Sequence, residues 1–393
     1  MASELNFDKL FNISILCMKI NRSHPNVKRD MKWALQFLVM HGVTTTFFCM
    51  LLYSTVMHDL KNKNFTQACA NGTIAILYTV VSFQYFMMVW YQDKLRDMIT
   101  IMKRDFADCT LEERILVLKY AYRGRWVSKL WFVVASMSGG LFPLKSVFSM
   151  IYYATKHEVR LVPVYDLTYP KLLEEIKNDF IPFTIIYFAM LWYVFYASSM
   201  YIGIVPMGPI FMLHACSQLE IAKRKIRNFY PLNGYRHADT MEKMKDVATH
   251  LQEIHGFVGK IQSTFQYIYE LYMKGSAVTI PITAYQAIQS FHDGNISLEF
   301  VTITFACVFL TSIPCYYCDL LLETGESVGE AVYFSGWEKQ WDRHERNLTL
   351  MLLLRLTRPM AVRSIFRTMC LDALTEVFQQ AYAIFNVLNA SWN

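Results

Sequence analysis

The chain has 393 residues, 54% hydrophobic and 15% aromatic but only 18% charged, and a net charge of +6. With a mean hydropathy of +0.22, this composition predicts a membrane protein. The small positive excess sits in loops, which argues against nucleic acid as a partner.

Residues 1–33 are polar and mildly basic. They lack the short apolar core and small-residue cleavage site of a secretory signal, so the first span is expected to act as its own insertion signal. Apolar runs fit to cross a hydrocarbon core of roughly 30 Å occur at 34–57, 68–90, 129–153, 181–203, 275–291, 298–320 and 364–388. The fifth is short and contains Pro281, and it reaches adequate length if the aromatic run Phe265–Met273 continues its helix. The prediction is an all-α membrane protein with seven transmembrane helices, or six without that run.

Lys and Arg set the expected orientation. Lys9, Lys19, Arg22, Lys28, Arg29 and Lys32 precede span one; the 91–128 and 214–265 segments are also rich in them, and Lys339, Arg343, Arg346, Arg355, Arg358 and Arg363 precede the last span. The intervening loops carry few, and none follows Leu388. The positive-inside rule then puts the N-terminus in the cytoplasm and the C-terminus outside. Glycosylation sequons at Asn64, Asn295 and Asn389 suit outside positions, whereas those at Asn12, Asn21 and Asn347 read as chance matches.

Pro206-Met207-Gly208-Pro209 is expected to break span four, with Ile210–Phe229 resuming as a helix beyond the membrane. Met241–Met273 is continuously helix-forming, with Val247, Leu251, Ile254, Val258, Ile261 and Phe265 at three- and four-residue spacing. Gly325-Glu326-Ser327-Val328-Gly329 reads as a loop whose small residues serve either close helix approach or helix breaking. Residues 348–357 form an apolar run only about 15 Å long as a helix, interrupted by Pro359. Helices with apolar faces outside the membrane call for an intracellular bundle or a subunit interface. The expected organisation is residues 1–203 as the N-terminal tail and spans one to four, and 204–274 as cytoplasmic helix extensions. Residues 275–320 hold spans five and six, 321–363 a cytoplasmic helical anchor, and 364–393 the last span with a short extracellular tail.

That last run, Ser364–Leu388, holds about 25 residues without proline or glycine, enough to cross a bilayer. At 100° per residue, Asp372, Glu376, Gln379, Gln380, Ala383, Asn386, Val387 and Ala390 share about a third of its circumference, and Leu374, Val377, Ala381, Ile384, Phe385 and Leu388 lie opposite. A spanning helix turns such a stripe to water or protein rather than lipid, so it lines a pore or packs against neighbouring helices.

Catalytic patterns are missing: there is no Gly-x-Ser-x-Gly, no Walker-type loop and no His-Glu-x-x-His. The five-residue spacing of His250 and His255 suits neither one helix face nor a metal pair. Cys315 and Cys318 have redox or zinc spacing but no second pair, and read as packed small residues at a helix end. The sequence thus points away from an enzyme, a metal site or a cofactor. The outer halves of the spans instead offer an aromatic, weakly polar lining. Span two has Tyr78, Phe83, Tyr85 and Phe86. Span three has Ser136, Ser138, Gly139, Gly140 and Phe142, bent by Pro143. Span four has Tyr187, Phe188, Met190, Trp192, Tyr193 and Tyr196, and span six Thr302, Ile303 and Phe305. Together they suggest an apolar small-molecule cavity, with interhelical packing as the alternative for any one residue. Lys145, about 24 Å into span three, is expected to snorkel to the outer interface.

The final third resembles the insect odorant receptor family. The run Cys318, Gly325, Ser327, Val328, Ala331, Tyr333, Trp337 is similar to that family's signature after span six. MLLLRLTRP at 351–359 resembles its short helix before a proline, and Leu371, Leu374, Phe378, Tyr382, Phe385 and Leu388 resemble its last span. The resemblance implies a ligand-gated, non-selective cation channel in the plasma membrane of sensory cilia. There an odorant-tuned subunit assembles as a heterotetramer with the shared co-receptor Orco, among membrane lipids and without a cofactor. It implies a last span lining the pore, where Val387 is the gate and Ala383, Gln379, Asp372 and Glu376 lie along the same stripe. It further implies a pocket for small volatile odorants among spans two, three, four and six, at Tyr78, Ser136, Gly139, Phe142, Tyr187, Met190, Thr302 and Ile303. The compact loop between spans four and five departs from the co-receptor pattern and implies a tuning subunit. A G-protein-coupled chemoreceptor is the alternative, but it needs the opposite orientation and Asp/Glu-Arg-Tyr and Asn-Pro-x-x-Tyr motifs absent here. A transporter would want inverted repeats.

Overall fold

The computed structural model describes residues 6–157, 160–230, 237–292, 294, 297–339 and 342–392. Among them the chain is helical, and its β structure is one isolated antiparallel bridge between Arg363 and Thr368. Asn295 lies outside the described residues. The helices are α1 (Phe7–Leu10), α2 (Asn12–Ile20), α3 (Met31–Tyr53), α4 (Phe65–Trp90), α5 (Gln92–Asp108), α6 (Leu111–Thr155) and α7 (Lys171–Ile176). They continue as α8 (Phe180–Ile204), α9 (Met207–Arg227), α10 (His237–His292), α11 (Leu298–Tyr333), α12 (Arg343–Leu356) and α13 (Leu371–Trp392).

Local chemistry sets several of the helix starts. Asp30 and Asn64 accept from the Trp33 and Gln67 amides at 2.8 and 3.2 Å, and Thr110 with Glu113 closes a capping box at the start of α6. Each satisfies amide donors that a helix N-terminus leaves free. Among the described residues, five stretches are long and apolar enough to cross a membrane: Met31–Asp59, Phe65–Trp90, Leu111–Thr155, Phe180–Arg227 and Leu298–Tyr333. They contain the first four predicted spans and the sixth. The fifth lies within α10, whose 56 residues run unbroken through Pro281, so the aromatic run does continue that helix.

Four features differ from the sequence reading. Residues 7–10 and 12–20 of the polar N-terminal tail form helices, and Phe7, Leu10, Phe11, Ile15 and Met18 are buried. A Cβ on Gly203 would come within 3.1 Å of the Met18 backbone nitrogen, so α2 lies closer to α8 than a side chain at this position would comfortably allow. The Gly325–Gly329 stretch belongs to α11 rather than to a loop, and a Cβ on Gly325 would meet Met360 at 3.3 Å; burial against 356–360 makes the helix outlast the apolar run. Cys315 and Cys318 likewise sit inside α11, fully buried beside the sulfurs of Met273 and Met212 at 3.9 and 3.5 Å. Finally, the last helix starts at Leu371 rather than Ser364, because Ser364 and Arg367 close a turn through a 2.8 Å backbone bond and Arg363 bridges Thr368.

At the expected break, α8 stops at Ile204 and α9 begins at Met207, since Pro206 has no amide to donate back into the helix. From there α9 runs almost fully buried between α6, α10 and α11, and α12 packs on α11. This end of the bundle carries the ion pairs Lys103–Asp8, Lys225–Asp246 and Lys260–Asp97.

Candidate functional site

The opposite half of the bundle holds a cavity of about 100 Å³ between α4, α6, α8 and α11, several-fold more than the ~10–15 Å³ that one water needs on this measure. Helical spacing builds its walls. Ala135, Ser138, Gly139 and Phe142 form one face of α6; Tyr193, Val194, Ala197, Ser198 and Tyr201 one face of α8; Ile303, Ala306, Cys307 and Leu310 one face of α11. Ring centroids of Tyr78 and Tyr193 lie 5.0 Å apart, and those of Phe142 and Tyr165 also 5.0 Å. Among the described residues the walls are mainly aromatic and aliphatic, with Ser138 and Ser198, and carry no charged side chain, as suits a neutral, largely apolar guest.

Gly139 lets α6 and α8 come together here: a Cβ would lie 2.6 Å from Ser198 Oγ and 3.2 Å from Val194 Cγ1. Pro143, inside α6, cannot donate to the Gly139 carbonyl one turn back, which weakens the helix beside the cavity. Tyr165 comes from the segment joining α6 to α7, which folds over this end of the bundle. Val164, Tyr165, Leu167 and Tyr169 are buried. Polar contacts strap the segment down: Ser146 Oγ donates to the Val162 carbonyl at 2.7 Å, Gln67 Nε2 to the Asp166 carbonyl at 2.8 Å, and the Thr168 amide to Ser54 Oγ at 3.0 Å.

Of the residues proposed for the pocket, Tyr78, Gly139, Phe142 and Ile303 come together around this cavity. The other four lie elsewhere. Ser136 is exposed on another face of α6, and Met190 is fully buried but outside the lining. Tyr187 points its hydroxyl at Ser146 Oγ, 3.5 Å away, and Thr302 donates to the Glu299 carbonyl of its own helix at 2.9 Å. Trp131, Tyr165 and Ser198 line the cavity without having been singled out. Trp131 lies four and eight residues before Ala135 and Gly139, so helical periodicity carried back one turn reaches it. Tyr165 sits in a segment without periodicity, which gave no signal. Lys145, sent by the sequence to the outer interface, pairs with the buried Glu299 at the start of α11.

A second feature lies on α13. Ala373, Val377 and Ala381 are buried against α10 and α11, whereas Asp372, Glu376, Gln379, Ala383, Asn386 and Val387 are exposed. Val387 is 67% exposed. Glu376 pairs with Arg367. The polar stripe is thus not covered by neighbouring helices of the same chain. Among the described residues, no group of three or more His, Cys, Asp or Glu side chains is arranged to hold a metal ion.

The family model described as "7tm Odorant receptor" matches residues 64–382. No curated protein matches the chain. Among solved structures, the chain is similar to the insect olfactory receptor OR5 from Machilis hrabei in complex with eugenol. The TM-score is 0.78 at 15% identity, over 98% of each chain. A second structure of that receptor gives 0.74 at 13% identity, over 97% of each.

Proposed function

This chain belongs to the 7tm odorant receptor family, and from that premise we propose that it is the odorant-tuned subunit of a ligand-gated, non-selective cation channel. The observation that carries the channel reading is the uncovered polar face of α13. A membrane-length helix does not leave such a stripe in lipid, and one chain cannot enclose a pore, so several subunits around an axis would turn these faces inward. Asp372 and Glu376 would bias the pore towards cations, and Val387 would form its apolar gate. The seven-span topology with a cytoplasmic N-terminus belongs to the same reading, with α10 and α13 as the fifth and seventh spans. The helical base formed by α9, α12 and the adjoining parts of α10 and α11 would then be the cytoplasmic anchor.

In this reading the aromatic cavity takes a small volatile odorant, and the chain works in the plasma membrane of olfactory cilia beside the co-receptor Orco. Recording from cells that express this chain with the co-receptor, across a broad odorant panel, tests it. Odorant-evoked cation current that needs both chains is the expected result. Silence across the panel despite surface labelling of the chain would sink the proposal.

A further inference from the structure

Three polar groups around the cavity are already occupied. The Tyr78 hydroxyl donates to Thr44 Oγ1 at 2.8 Å, the Tyr201 hydroxyl to the Leu77 carbonyl at 3.0 Å, and Ser138 Oγ to the Val134 carbonyl at 2.8 Å. Two donors differ. The Tyr193 hydroxyl and the Trp131 indole nitrogen are buried and have no hydrogen-bond partner among the described residues, in side chains whose residues are 3% and 2% exposed. Both residues line the cavity, on α8 and α6.

We infer that this cavity selects neutral odorants that combine an apolar body of about one aromatic ring with a hydrogen-bond-accepting oxygen, such as aromatic ketones, aldehydes and esters, over hydrocarbons of the same shape. The inference rests on the cavity being the odorant site. A buried donor without a partner carries an uncompensated desolvation cost, and a ligand oxygen within reach removes it. The indole N–H donates only, so the complementary group on the ligand is an acceptor rather than a donor. Charged odorants are rejected because no charged side chain lines the walls to offset their desolvation. The surrounding rings of Tyr78, Phe142 and Tyr165 supply flat apolar surface for the rest of the molecule.

Matched pairs test the preference, for example acetophenone against α-methylstyrene, in which a methylene group replaces the carbonyl oxygen at nearly constant shape. Binding of several such pairs is measured by calorimetry on the purified full chain in lipid nanodiscs, which separates ligand recognition from channel opening. The oxygen-bearing member is expected to bind roughly five- to ten-fold more tightly. Tyr193→Phe, which removes one oxygen and keeps the ring, should cut that ratio, and Trp131→Phe should cut it further. Retained hydrocarbon binding certifies that the variants fold. Equal binding within the pairs, or ratios untouched in both variants, would overturn the inference and leave the odorant reading standing. Binding of no pair at all would overturn the odorant reading, and the inference with it.

Discussion

At Gly139 a single missing side chain determines how closely α6 approaches α8. Its neighbour Gly140 has nothing within 4 Å of a built Cβ, so the two adjacent glycines make an internal comparison. Gly139→Leu should drive a side chain against Val194 and Ser198, fill part of the cavity and lower odorant potency by about ten-fold or more, as overpacking by roughly 1–3 kcal/mol implies. Gly140→Leu should leave potency within two-fold, the order expected of a substitution away from packed contacts. Concentration–response curves at matched surface expression check both. The sequence brought Gly139, Phe142, Tyr78 and Ile303 into view through the aromatic and small residues of their spans and through the family resemblance. It did not separate Ser136 from Gly139, since at that spacing only the rotation of α6 against its neighbours decides which residue looks inward.

Among the elements, the junction of α5, α9 and α10 ties the charged end of the bundle together. His214 on α9 bonds Asp105 on α5 at 3.0 Å, and His250 on α10 bonds Gln218 on α9 at 3.0 Å. Burial by itself would raise the Asp105 carboxyl, but the hydrogen bond and charge of His214, with Arg104, hold it below the usual range. Burial, aided by the charge of Lys225, lowers the His250 imidazole below its ordinary value of 6.5, against the pull of Asp105, Asp246 and Glu253. A depressed folded-state value means that the unfolded chain binds the proton first. The stability contributed by neutral His250 is therefore full above about 6.5 and is lost as the pH falls through the folded-state value. Thermal unfolding of the purified protein should show a falling midpoint between pH 7 and 5. The slope should flatten in His250→Gln, whose amide can still reach Gln218; an unchanged slope would remove His250 from the account. Neither histidine was legible as part of this junction, because the contacts join residues more than thirty positions apart.

For the whole molecule, the proposed pore turns the uncovered face of α13 towards further subunits. If those faces meet around a pore, a cysteine at Val387 should react with a water-soluble thiol reagent applied to the open channel and block its current. One at Val377, 3% exposed against the neighbouring helices, should be inert. Equal reactivity of the two, or inertness of both, would contradict the pore arrangement. The N-terminal helices carry a related lesson. Phe7, Leu10, Phe11, Ile15 and Met18 follow three- and four-residue spacing, so the periodicity of a packed helix was present in the sequence. Average polarity over residues 1–33 concealed it.

The amino-acid sequence by itself determined the helical membrane class, the break at Pro206, the polar stripe on the last helix and the aromatic character of the spans. Each of these is set by local hydropathy, backbone chemistry or helical periodicity, all of which are written within a few turns of chain. Only the tertiary structure decided that the cavity lies between α4, α6, α8 and α11, that Trp131 and Tyr193 line it with buried donors that find no partner among the described residues, and that α11 runs on through its glycines. Those outcomes depend on how helices rotate and approach one another, a balance of packing contacts between residues far apart in sequence that no local pattern encodes.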